Sequence, residues 1–121
     1  MKAKRLGIFP NMTKEKVRTN LQNFVSLCKE QGLEPLLPMD ICDAFQCEGF
    51  SQTDEAALRS LDFAVSLGGD GTLLKMDGYI VPLGIPAFGV NYGKLGFLAE
   101  IDSPSLRKAI MRLGRGDYEI E

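Results

Sequence analysis

Apolar residues along the 121-residue chain change their spacing several times, and each change marks an element. Leu6-Gly7-Ile8-Phe9 is a short apolar block closed by Pro10-Asn11, which predicts a first strand. From about Lys14 to Gln31, Val17, Leu21, Phe24, Val25 and Cys28 recur at the spacing of one helical face. Asn11 or Thr13 is the expected cap of this helix, and Gly32 the residue that ends it. Leu33 to Leu37 predicts a second strand, which Pro35 and Pro38 assign to a sheet edge or bring to an early end. A strand, a helix and a strand in that order imply a parallel sheet with a right-handed crossover. Between Asp40 and Phe50 the pattern is mixed and suggests a short helix containing Cys42 and Cys47; no site is assigned to it. Ser51 to Asp54 is polar, and Glu55 to Ser60 reads as another helical turn or two.

The pattern then sharpens. Asp62 to Leu67 reads as a strand and runs into Gly68-Gly69-Asp70-Gly71-Thr72, three glycines around one carboxylate. A helix with Thr72 as its cap is expected from Leu73 to Val81, interrupted at Asp77-Gly78 and broken by Pro82-Leu83-Gly84. Glycines between a strand and a helix present backbone N–H groups to a phosphate, and the helix start adds partial positive charge. A tight turn using glycine for positive φ, with Asp70 capping the helix, explains the same spacing. Ile85 to Val90 is a further strand, ending in a second glycine-rich loop, Asn91-Tyr92-Gly93-Lys94-Leu95-Gly96-Phe97. Two strands of a parallel sheet that end in such loops bring both to one edge, where open α/β folds bind ligands. That favours the phosphate reading. A last helix runs from a Ser103 cap through Pro104, Leu106, Ala109, Ile110 and Leu113 to Gly114, and Asp117 to Glu121 alternates as a half-buried strand does.

Composition narrows the function classes. Hydrophobic content of 45% and charged content of 25% are those of a globular domain. A net charge of −2 argues against broad binding to nucleic acid or an anionic membrane, and no apolar run approaches about 20 residues. The N-terminus is basic, but its apolar stretch is too short for a signal peptide; a cytoplasmic protein is the expectation. Cys28, Cys42 and Cys47 are odd in number and form no CxxC pair, which suits reduced thiols. The chain has no histidine, so Ser-His-Asp and Cys-His catalysis are excluded, and a general base must be a carboxylate, a lysine or a less usual group. Asp70 is the only acidic residue inside either glycine loop.

Gly68-Gly69-Asp70-Gly71-Thr72-Leu73-Leu74, then Ile85-Pro86 and Asn91-Tyr92-Gly93-Lys94-Leu95-Gly96-Phe97-Leu98, closely resemble the NAD kinase family. The likeness runs from Asp62 through Gly116-Asp117-Tyr118, and Leu6–Pro10 resembles the family's opening strand. Lipid kinases of the diacylglycerol and sphingosine type share the first motif; the second selects NAD kinase. The resemblance implies a parallel Rossmann-like or flavodoxin-like sheet flanked by helices, an α/β nucleotide-binding domain over residues 1–116. Residues 117–121 would begin the strand leading to a β-rich C-terminal domain, absent from this sequence, so that little activity is expected of these residues alone. It further implies phosphoryl transfer from ATP or polyphosphate to the adenosine-ribose 2′-hydroxyl of NAD, with Mg²⁺ accompanying the nucleotide and a homo-oligomer for the full-length protein. Asp70 maps to the base, Gly71 lies against the dinucleotide, and Lys75 and Asn91 map to substrate contacts. Gly68, Gly69, Gly71, Thr72, Gly93 and Gly96 form the backbone loops, and no residue is assigned as a metal ligand. Lys75 also has a plain reading as a solvated helix-face lysine, and Lys75-Met76-Asp77-Gly78 departs from the alanine- and arginine-rich helix usual in the family. The alternatives to NAD kinase are a lipid kinase domain and a non-catalytic nucleotide-binding module.

Overall fold

The computed structural model describes residues 4–91 of the chain. Strands β1 (Lys4–Pro10), β2 (Leu33–Pro38), β3 (Glu48–Phe50), β4 (Phe63–Gly68) and β5 (Ala87–Asn91) form one sheet in the order β3-β2-β1-β4-β5. Every pairing is parallel. The chain therefore starts in the middle of the sheet, builds outward to β3, and returns past β1 to lay down β4 and β5. That reversal between β1 and β4 is a topological switch point, and the order is the Rossmann one over five strands.

Strand alternation divides the core into two layers. Leu6 and Ile8 of β1, Leu33 and Leu37 of β2, and Phe63, Val65 and Leu67 of β4 face one side. Helix α1 (Glu15–Glu30) covers them with Val17, Leu21, Phe24, Val25 and Cys28, the face that the sequence periodicity predicts. Phe9, Leu36 and Ala64 face the other side, against Leu58 of α2 (Glu55–Arg59) and Met76 and Ile80 of α3 (Asp70–Ile80). Phe9 and Phe50 meet edge-to-face with ring centroids 5.2 Å apart. Helices on both faces make the fold doubly wound.

Several expectations are corrected. β2 is not an edge strand: β3 pairs along it from Leu36, one residue past Pro35, so that proline lies outside the stretch that β3 joins. The Asp40–Phe50 helix is a single 3₁₀ turn, Cys42–Phe45, followed by β3, and Cys47 lies between the two. The cap position of α1 is Lys14, without a side-chain capping bond; Asn11 Oδ1 instead accepts from the Thr13 N–H at 3.1 Å and the Thr13 hydroxyl at 2.6 Å. Helix α3 begins at Asp70 rather than Leu73 and runs unbroken through Gly78. α2 is capped by Asp54, whose Oδ1 accepts from the Ala56 and Ala57 amides. The second glycine loop beyond Asn91, the helix from Ser103 and the segment from Asp117 lie outside the described residues.

At the amino edge of the sheet Arg5 ties three strands together. Its guanidinium donates to Glu34 at 3.2 Å and to Glu48 at 2.6 Å, while its backbone exchanges hydrogen bonds with Asp62. The bond from Arg5 holds the Glu48 carboxyl below its ordinary range, and the same bond raises Arg5. Cys28, Cys42 and Cys47 are free thiols, and burial pushes the Cys28 thiol up to about 12.

Candidate active site

The site lies at the opposite, carboxyl edge. Three strands deliver their ends there in register: Pro10 of β1 opposite Leu67 of β4, and Gly68 of β4 opposite Asn91 of β5. A cleft of about 530 Å³ opens over the switch point. Its lining comes from the loop after β1 (Pro10, Asn11, Met12 and Lys14), from the turn and first helical residues that follow β4 (Gly69, Asp70, Gly71, Thr72 and Lys75), and from Phe9, Gln52 and the buried Met76.

The glycine turn is shaped by distinct requirements at each position. Gly68 has φ of +159°, and a Cβ there would stand 2.6 Å from Thr72 Oγ1 and 3.0 Å from Asn11 Cβ. The turn is thus packed between the first loop and the third helical residue, and the Asn11 N–H donates to Leu67 C=O at 2.8 Å to hold it. Gly69 is the cap of α3 with extended, negative-φ backbone. Its substitution would meet Lys14, whose Nζ lies 3.4 Å from the Cβ position. At Gly71 a Cβ would meet nothing within 4 Å. No packing inside the described chain requires glycine at 71, although glycine in a helix costs about 1 kcal/mol relative to Ala.

Asp70 is therefore not the helix cap. It is the first helical residue, exposed in the cleft, where a carboxylate complements the positive end of the helix. The first backbone bond of α3 runs from Leu73 N–H to Gly69 C=O at 3.1 Å, so the amides before it lie outside the helical ladder at the cleft. Thr72, expected as cap, is the third helical residue, its side chain turned back toward Gly68. Lys75, just over one turn on, lines the cleft and is exposed.

Asp70, Gly69, Gly71, Thr72 and Lys75 are thus brought together around one cleft, with Gly68 beneath them. Asn91 ends the neighbouring strand at the same edge, and Gly93 and Gly96 are outside the described residues. The first loop, with Asn11, Met12 and Lys14, went unassigned from sequence. A signal for it exists: Pro10-Asn11 ends a strand of the same parallel sheet, so its loop must emerge on the same edge. Among the described residues no cluster of three or more Cys, Asp or Glu could cage a metal ion.

The fold and the cleft define the class: a doubly wound parallel α/β domain with a glycine-rich turn at its switch point. The family model described as the ATP-NAD kinase N-terminal domain matches residues 5–118, and the chain belongs to that family. Its relatives include the NAD kinase of Caldanaerobacter subterraneus subsp. tengcongensis, 33% identical over 98% of this chain and 42% of the relative. The NAD kinase of Clostridium botulinum is 35% identical over 98% of this chain and 40% of its own length. That of Heliobacterium modesticaldum is 53% identical over a shorter stretch, 53% of this chain and 23% of the relative. The chain thus spans about two-fifths of the length of the relatives it matches end to end. The crystal structure of yeast NADH kinase complexed with NADH shares the fold, with a TM-score of 0.69 at 16% identity over 97% of this chain and 39% of that one.

Proposed function

We propose that this chain carries the phosphoryl-transfer site of an NAD kinase, which moves a phosphoryl group from ATP or polyphosphate to the adenosine-ribose 2′-hydroxyl of NAD. The observation that carries the reading is the position of Asp70, exposed in the switch-point cleft at the start of α3, in a chain of this family. A ribose hydroxyl is a weak nucleophile. A carboxylate within about 2.6–3.2 Å orients it and takes its proton as the phosphoryl group arrives. Phosphoryl transfer has a loose transition state, so the other demands are positioning and charge neutralisation. Amides at the start of α3 and the Lys75 ammonium supply them, and the open space at Gly71 allows a ligand to approach the backbone closely.

Mg²⁺ suits this donor set when it is carried by the nucleotide. The ion takes one or two carboxylates plus phosphate oxygens and keeps waters, and among the described residues Asp70 is the one carboxylate of the cleft. When bound, it shields the charge of the donor's phosphates. On the family motif alone, Asn91 is assigned to substrate binding and Gly93 and Gly96 to the backbone loop of the site.

The test is NADP formation by the complete gene product, supplied with NAD, Mg²⁺ and either ATP or polyphosphate and read through an NADP-specific dehydrogenase. NADP is expected with at least one donor. No NADP from either donor would overturn the proposal.

A further inference from the structure

We propose that Lys14 is a phosphate-binding residue of this cleft, acting from the loop after β1. The inference rests on the phosphoryl-transfer reading and adds a residue that neither glycine motif contains.

Lys14 is oddly placed for stability. It sits at the cap position of α1 with extended backbone, φ −92° and ψ 127°, and makes no side-chain capping bond. A lysine there offers no acceptor to the exposed amides and adds positive charge at the positive end of the helix. Asn11 and Thr13 carry suitable acceptors but are engaged with each other. Among the described residues the ion pairs involve Arg5 and Arg59, not Lys14.

Its side chain instead crosses the switch point. Nζ lies 3.4 Å and Cε 4.0 Å from where a Gly69 Cβ would stand, so the ammonium rests against the glycine turn. Among the described residues, the ionisable ones lining the cleft are Lys14, Lys75 and Asp70, a net positive set around the start of α3. A phosphate group seated at the turn would meet Lys14, and the cleft it occupies is also lined by Lys75. Such a group completes the charge balance that the described chain leaves open at Lys14.

Phosphate reaches the site from two sources, the donor's phosphate chain and the pyrophosphate of NAD, and the experiment separates them. In the complete gene product, Lys14→Met and Lys14→Arg are compared with the wild type for affinity to inorganic tripolyphosphate by calorimetry, for KM of ATP and of NAD, and for Tm. Lys14→Met is expected to weaken tripolyphosphate about tenfold or more, with Tm unchanged or raised, and Lys14→Arg to recover most of the affinity. A rise in KM confined to ATP assigns Lys14 to the donor, and one confined to NAD assigns it to the acceptor's pyrophosphate. Wild-type tripolyphosphate affinity and wild-type KM values in Lys14→Met would overturn the inference while leaving the kinase reading intact. Loss of tripolyphosphate binding in Lys14→Met, in a protein that forms no NADP, would uphold Lys14 as a phosphate ligand and reject the NAD kinase reading.

Discussion

Gly68 and Asn91 stand opposite each other on the last rung of the β4–β5 ladder, so the two glycine motifs leave the sheet from adjacent points on one edge. Beside them Pro10 pairs with Leu67, and the loop that follows β1 joins the same edge. The parallel order of strands places the cleft; among the described residues, the loop after β1 and the turn into α3 give it chemistry.

Gly68 and Gly71 differ in why they are glycine, and substitution separates the two reasons. In Gly68→Ala the new methyl collides with Thr72 and Asn11, and a loss of about 1–3 kcal/mol in urea unfolding is expected. Gly71→Ala meets open space in a helix, so stability is expected to hold or rise by up to about 1 kcal/mol while NADP formation falls at least about tenfold. Equal stability losses in the two variants would contradict the assignment of Gly71 to ligand approach.

The Arg5–Glu48 bond predicts an acid-side dependence of stability. Because Arg5 lowers the Glu48 carboxyl in the folded chain, the contribution is fully present above the ordinary value of 4.5 and disappears as pH falls through the folded value. Glu48 is half exposed, so solvent screening limits the effect to below about 1 kcal/mol. Denaturation of Glu48→Gln between pH 3 and 7 should show a flatter profile than the wild type, and 1 M salt should narrow the gap at neutral pH. Parallel profiles would remove the bond from the list of stabilising contacts.

Cys28 predicts the opposite behaviour at high pH. Its thiol is raised to about 12 in the folded chain from 9.0, so the stability it confers is complete below 9.0 and declines as pH rises toward 12. Cys28→Ala should start less stable by about 1 kcal/mol and lose less on going from pH 9 to pH 11. In the native wild type, Cys28 should also react far more slowly with thiol reagents than in the unfolded chain. Fast native labelling of Cys28 would contradict its burial.

Much of this architecture is legible in the sequence. The 3.6-residue apolar spacing from Val17 to Cys28 states which face of α1 is buried, and the apolar blocks at Leu6–Phe9 and Phe63–Leu67 mark the two central strands. β3 is not legible, because three residues are too few to display an alternation. The two prolines of β2 read as an edge signal, yet only the part from Leu36 onward receives a second partner. The start of α3 was displaced because Thr72 resembles a cap, whereas Gly69 adopts the cap geometry and leaves Asp70 inside the helix. The chemistry of Asp70 is readable from its motif. The edge on which Lys14 emerges is readable too, but its contact with the glycine turn is not, since that depends on β1 lying next to β4, a neighbour 57 residues away across the Arg5–Asp62 contact that opens the pairing.

The most direct measurement is kcat for NADP formation by Asp70→Asn in the complete gene product, beside its affinity for NAD. The substitution keeps the side-chain shape at the start of α3 and removes the proton acceptor. The expected result is a fall in kcat of about 10²–10⁴-fold with NAD affinity within a few-fold of wild type. A kcat within a few-fold of wild type would contradict Asp70 as the base, and with it the assignment of this cleft as the place of phosphoryl transfer.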